Sequence, residues 1–206
     1  GLEEYGRDEL RQQIMAGAAG LEANTPIETR LDWVAQAMAM LDEAIPETDT
    51  RGRIIHGCAH HFPQVRIDKM RALYQELGSV DALIEWIHQD KEANGGTSWY
   101  GNPEREGDVI FDIKDPASPE EYKQAESSLD KRIARCFCPI VRAAIKTERK
   151  LSTTFCNCSA GYTAQFWQSV LQMPLRIEVV ENVLQGDDVC KFAIYLPEGT
   201  LAGEMP

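Results

Sequence analysis

Over the first ninety or so positions, apolar residues recur at helical spacing. Leu10, Ile14 and Leu21 share one face within 6–23. In 24–45, Thr25 ahead of Pro26, with Glu28 three residues on, reads as N-cap, first helical residue and capping-box partner, and Pro46 stops the helix. A third helix is expected over 47–62, ending before Pro63, with His56 and His60 one turn apart on one face. A fourth covers 65–77 and closes at Gly78; Ser79 caps a fifth, over 80–93, which runs out into Asn94-Gly95-Gly96.

The texture then changes. Turn formers fill 94–107, and the β-branched run "DVIFDI" at 108–113 reads as a strand. An N-capped acidic helix is expected over 118–134, and "RCFCPIVRAAI" at 135–145 reads as a strand or an irregular turn. Tyr162, Phe166, Trp167 and Val170 then mark one apolar face of a helix, and 175–184 and 189–196 read as two strands joined through Gly186-Asp187-Asp188. The expected fold class is α+β: a helical N-terminal half followed by a small antiparallel sheet with packed helices. Its parts would be a helical region at 1–95, an α+β domain at 96–196 and a loose tail at 197–206.

Charge narrows the partners. With a formal net charge of −12 over 206 residues, the field around the protein repels phosphate backbones and anionic lipid surfaces, so nucleic acid is not an expected partner. No apolar run approaches the ~20 residues of a membrane-spanning helix, so no membrane partner is expected either. The opening residues lack the pattern of a secretory signal, which makes the cytoplasm the expected compartment. The one basic stretch, "KRIARCFCPIVRAAIKTERK", is either a solvated face or a local source of positive potential around the cysteines it frames.

Those cysteines carry the candidate chemistry. Four of the six fall into two Cys-x-Cys units, Cys136 with Cys138 and Cys156 with Cys158. A disulfide framework, plain burial as small apolar residues, and a soft-metal or thiolate site are the readings open to them. A tetrahedral zinc site needs four ligands, and two short chelating units brought together by the fold supply that count, with Cys190 or Cys58 as substitutes. Zinc is therefore the candidate cofactor, with Cys136, Cys138, Cys156, Cys158 and Cys190 as candidate ligands. In "IIHGCAHHFP", His56, Cys58, His60 and His61 form a second cluster, in which Cys58 could act as a nucleophile with a histidine as its base.

From about 106 to 196 the sequence resembles known families. "EGDVIFDI", "CFCPIV", "FCNCSAGY", "FW" and "PLRIEVVENVLQGDDVCKFAI" are similar to bacterial proteins related to the 4-vinyl reductase small-molecule-binding domain and to the L-2-amino-thiazoline-4-carboxylic acid hydrolase family. The closing "GDDVCKF" resembles the Gly-Asp-x-x-Cys-x-Phe signature of that group. The matching positions are Cys138, Cys156, Cys158, Gly161, Gly186, Asp187, Cys190 and Phe192. The resemblance implies a sheet-and-helix ligand-binding domain with cysteines around a metal or a pocket.

Two functions are therefore expected in competition. In the first, the chain is a small-molecule-binding or sensory domain, with ligand contacts from Cys58, His56, His60, Trp99, Tyr162 and Trp167, and with Tyr100 and Phe166 completing an aromatic lining. In the second, it is a cysteine-dependent hydrolase of a small C–N or C–S bond. Cys156 or Cys158 would be the nucleophile, its pKa lowered by Arg135, Arg142 and the start of a helix near Ser159. The helical half is left to cover the pocket or to carry a homodimer interface.

Overall fold

The computed structural model describes residues 2–96 and 98–197, and its fold is α+β. The tail expected to be loose lies outside the described residues apart from Pro197. Among the described residues, no helix is long and apolar enough to cross a membrane.

Five helices come first. α1 (Asp8–Ala16) is shorter than its apolar spacing suggests and fully buries none of its residues. α2 (Ile27–Ala44) buries Leu31, Val34, Ala37, Met38 and Leu41, the stripe of an amphipathic helix laid on a core. Its start differs from the expected capping box. Pro26 is the cap residue, and Thr25 Oγ1 accepts from the Glu22 amide at 2.8 Å, closing a turn ahead of the helix. α3 (Thr48–His56) stops at Gly57, so Cys58, His60 and His61 lie beyond it and His56 and His60 do not share a helix face. α4 (Gln64–Leu77) closes on Gly78 at φ 73°, the left-handed position that glycine tolerates. α5 (Val80–Ala93) starts on Ser79, whose Oγ accepts from the Ala82 amide at 3.2 Å.

The sheet is antiparallel throughout, in the order β1-β2-β4-β3. β1 (Asn102–Glu106) is an edge strand that no apolar alternation announces: "NPERE" is polar, and it tolerates Pro103 because an edge strand leaves part of its backbone unpaired. β2 (Val109–Ile113) pairs with β4 (Lys191–Tyr195), setting Ile110 opposite Ile194; β3 (Arg176–Glu181) sets Ile177 against the same residue.

Between the two halves of the sheet the chain makes four more helices. The single acidic helix expected at 118–134 is two, α6 (Pro119–Gln124) and α7 (Ser128–Arg135), because Ser127 Oγ accepts from the Asp130 amide at 3.0 Å and caps a new start. Where a strand or an irregular turn was expected, Pro139 occupies the first position of α8 (Pro139–Lys146), which buries Ile140, Val141, Ala144 and Ile145. α9 (Asn157–Leu171) buries eight of its 15 residues, among them Ala160, Ala164, Phe166, Trp167, Val170 and Leu171. It has neighbours on both sides: α3 and α4 on one, β3 and β4 on the other. At its crossing with α3 a Cβ on Gly161 would stand 2.4 Å from the His56 carbonyl oxygen, so the two backbones meet where only glycine fits.

Two apolar cores result. One joins the sheet to α4, α5 and α9 through Met70, Leu83, Ile110, Trp167, Phe192 and Ile194; the other joins α2, α3 and α8 through Leu31, Leu41, Ile55, Val141 and Val183. Cys190 packs against both.

Candidate functional site

A cavity of about 590 Å³ draws its walls from both cores: Phe62, Tyr100, Phe166 and Phe192 from one, Cys136, Val141 and Val183 from the other. Of the residues singled out from the sequence, it collects Cys136, Cys138, Cys156, Cys158 and Cys190 together with His60, Trp99 and Tyr162. Trp99 and Phe137 line it while staying largely exposed, at 61% and 60%, and Arg66 stacks on the Trp99 ring at 4.0 Å.

Three expected ligand contacts are not in its wall. Trp167 is fully buried in the core, because its face of α9 is turned to the sheet. His56 is held at the α3–α9 crossing, where burial pushes its imidazole down from its ordinary value. Cys58 is exposed just past the end of α3, although its carbonyl oxygen accepts from Cys158 Sγ at 3.5 Å.

The positions of the thiols follow from element ends. Cys136 ends α7 and Cys138 precedes α8, both in extended conformation, so Cys136 is buried, Phe137 points outward and Cys138 is half-buried. Cys136 Sγ donates to the Cys138 carbonyl at 3.7 Å. Cys156 is the cap residue of α9 and Cys158 lies in its first turn, starting that helix two residues before Ser159. Cys156 Sγ donates to Asn182 Oδ1 at 3.6 Å. Asn182 is held in turn by Asp187, whose Oδ2 accepts from the Asn182 amide at 2.8 Å, while Gly186 takes φ 116°. The Gly186-Asp187 pair of the signature thus shapes the turn that presents Asn182 to a thiol.

The electrostatics of these thiols run against the expected activation. Burial pushes Cys156 well above the ordinary value, and the neighbouring Cys190, Cys136, Cys138 and Cys158 push it further. Burial takes Cys158 up to about 11 and Cys136 up to about 12. Arg142 opposes burial at Cys136 and Arg135 does so at Cys190, whereas the leading cation at Cys158 is Lys114 and the leading influences on Cys156 are burial and the other thiols. The first turn of α9 does not outweigh the loss of water around the sulfurs. As they stand, the thiols are spread along the wall: among the described residues, no three His, Cys, Asp or Glu side chains gather closely enough to hold a metal ion.

Two residues in the cavity wall escaped the sequence reading. Asp112 and Lys114 extend the inward-facing alternation of β2 that begins with Ile110. Asp112 is 5% exposed, and its Oδ1 accepts from the Asn102 amide at 3.2 Å. Gly101, at φ 75°, leaves the room: a Cβ there would meet that oxygen at 2.1 Å. Burial first, against the opposing pull of Lys114, pushes the Asp112 carboxyl from 3.8 to about 6. The Trp167 indole N–H also favours the carboxylate, although it closes no hydrogen bond of ordinary geometry.

Lys114 continues the β2–β4 ladder, its amide donating to the Cys190 carbonyl at 3.0 Å, and its own carbonyl accepts from Arg135 at 3.0 Å. Its Nζ donates to Ser159 Oγ at 2.9 Å and lies 4.9 Å from the Tyr162 ring centroid and 5.4 Å from that of Phe192. Burial lowers its pKa, opposed by Asp112 and by Cys190, Cys158 and Cys136.

Fold and site together define an α+β protein with a thiol-rich, aromatic cavity between a small sheet and its helices. Residues 111–200 match a family of unknown function (DUF6144). No curated protein and no solved structure matches the chain.

Proposed function

We propose that the chain is a small-molecule-binding protein whose ligand occupies this cavity, apolar over most of its length and carrying an anionic or carbonyl group at Lys114. The observation that carries the reading is the cavity itself. Its volume of about 590 Å³ lies in the range of small-molecule sites, and its aromatic walls enclose one lysine held by a hydroxyl. The resemblance to the 4-vinyl reductase small-molecule-binding domain points the same way.

An apolar aromatic sulfonate, 1-anilinonaphthalene-8-sulfonate, tests it by calorimetry. One saturable site per chain is expected, weakened about tenfold or more in Lys114→Met by loss of the charge-assisted contact. No saturable site, or equal affinity in the variant, refutes the reading.

A second reading, the cysteine-dependent hydrolase, is favoured by one observation: Cys158 stands in the first turn of α9 with Lys114 close enough to pull its pKa down. Ring opening of L-2-amino-thiazoline-4-carboxylate, lost in Cys158→Ser or Cys156→Ser, is its test; a rate unchanged in both variants rejects it. Zinc on Cys136, Cys138, Cys156, Cys158 and Cys190 would require several of these side chains to turn toward a common point. Elemental analysis of the purified chain, with thiols counted before and after chelation, decides that proposal.

A further inference from the structure

Lys114 is the only lysine among the described residues that line the cavity, and its partners are unusual for an interior cation. Elsewhere in the protein, lysines with a tight partner take a carboxylate: Lys91 holds Asp115 at 2.6 Å and Lys123 holds Glu120 at 2.9 Å. Lys114 makes no such ion pair among the described residues. Its Nζ meets the hydroxyl of Ser159 and the faces of Tyr162 and Phe192. Asp112, the carboxylate on its own strand face, is committed to the Asn102 amide and packed against Gly101.

A hydroxyl suits a neutral amine as well as an ammonium, because it can donate to the amine lone pair or accept from its N–H. The ring faces of Tyr162 and Phe192 favour the ammonium, whereas the loss of water around it favours the neutral amine, and burial is the larger effect. An amine so placed beside open cavity space has what a carbonyl-capturing lysine needs: a lone pair, room for a ligand, and a proton-carrying group at hydrogen-bond distance.

We propose that Lys114 Nζ forms a reversible Schiff base with an aldehyde or ketone ligand held in the cavity, Ser159 Oγ passing the proton. The nitrogen lone pair attacks the carbonyl carbon, forming the C–N bond, and the carbonyl π pair moves to oxygen, which takes a proton by way of Ser159. That proton is the one the nitrogen releases on attack; a second proton delivered through Ser159 lets the oxygen leave as water as the nitrogen lone pair closes the C=N bond, and the resulting iminium returns that proton through Ser159, leaving an imine. Amine and carbonyl give imine and water, and nothing is oxidised or reduced. The inference rests on the cavity being a ligand site and adds the covalent class of ligand.

Benzaldehyde with sodium cyanoborohydride, followed by peptide mass mapping of the wild-type chain, tests it. The reductant traps only the imine, so each trapped lysine carries one benzyl group. Labelling of Lys114 at least tenfold faster than that of Lys69, Lys91, Lys123, Lys131, Lys146, Lys150 or Lys191 is expected, with an excess of anilinonaphthalene sulfonate suppressing it. Slower trapping in Ser159→Ala, with Lys114 still in place, is expected from the proton relay. Uniform labelling of the lysines overturns the inference. If the sulfonate still binds one site per chain in that case, the cavity reading stands and only the Schiff base falls; if it does not bind, both fall. Because the mapping is done on the native chain, the result does not depend on a Lys114 variant that folds.

Discussion

Replacing Asp112 with asparagine should make the protein more stable near neutral pH, by an amount that pH itself switches off. The carboxyl is 5% exposed, and burial raises its pKa from 3.8 to about 6. The folded state therefore holds the proton more tightly than the unfolded chain, and stability falls as pH climbs from about 4 to about 6. Two pH units at about 1.4 kcal/mol each put the cost of the buried charge at about 3 kcal/mol above that window. An amide keeps the oxygen that accepts from the Asn102 amide, but turns an N–H toward the Trp167 indole, which returns about 1 kcal/mol of the gain.

The gain of Asp112→Asn over wild type should therefore be larger at pH 7 than at pH 4 by about 2–3 kcal/mol, the indole contribution cancelling because it is the same at both pH values. Urea denaturation followed by tryptophan fluorescence, on both proteins across that range, measures it. The difference between the two proteins isolates this one carboxyl, since every other titrating group is common to both. A difference that stays constant between pH 4 and pH 7 would refute the assignment of a raised carboxyl at Asp112, and one that shrinks with rising pH would reverse its sign.

Three further perturbations probe the frame and the thiols. Gly161→Ala should cost about 1–3 kcal/mol in the same urea assay, despite alanine's better helix propensity, because its Cβ has no space against the His56 backbone; a neutral or stabilising result would mean that α3 and α9 pack further apart. Arg51→Leu should cost about 1–3 kcal/mol, since Arg51 bridges Asp42 at 3.0 Å and donates to the Ile45 and Pro46 carbonyls at 2.7 and 2.8 Å; partial recovery in Arg51→Lys is expected, and no loss in the leucine variant rejects the bridge. Iodoacetamide labelling of Cys136 and Cys158, read by peptide mapping, should rise about tenfold per pH unit from pH 8 to pH 10, as thiols titrating near 12 and 11 require; a plateau near the ~8.5 of a free cysteine would contradict the burial.

The parts of the fold that were legible in the sequence are those written in local chemistry. Ser79 as a cap, Gly78 as a stop and the β-branched "DVIFDI" each act within a few residues of themselves, and each stands where expected. The misreadings have equally local causes. Thr25 spends its hydroxyl on the Glu22 amide, which no spacing rule separates from a capping box. β1 owes its strand state to β2 beside it, and its polar residues carry no trace of that pairing. "PIVRAAI" carries a helical stripe, but the preceding "CFC" reads as extended, and the extended link of Cys136–Cys138 in fact stops where Pro139 begins the helix.

The site divides along the same line. Spacing singled out four thiols, because a pair of Cys-x-Cys units is unusual at any position, Cys190 joined them as a substitute ligand and through the resemblance, and one cavity collects all five. What spacing could not supply was their state. Charge near a thiol in sequence suggested activation by Arg135 and Arg142, whereas the fold removes the water around Cys156 and leaves four other thiols near enough to disfavour its thiolate further. Lys114 and Asp112 were passed over for the converse reason. Each is an ordinary charged residue in the sequence, and only the two-residue period of β2 running on from Ile110 turns both toward the interior. A charged residue in phase with the buried face of a strand cannot be there for packing, since burying it costs more than any apolar residue in its place. In this chain that phase, more than the cysteine count, marks the chemistry of the cavity, and it makes Lys114 the first residue to alter.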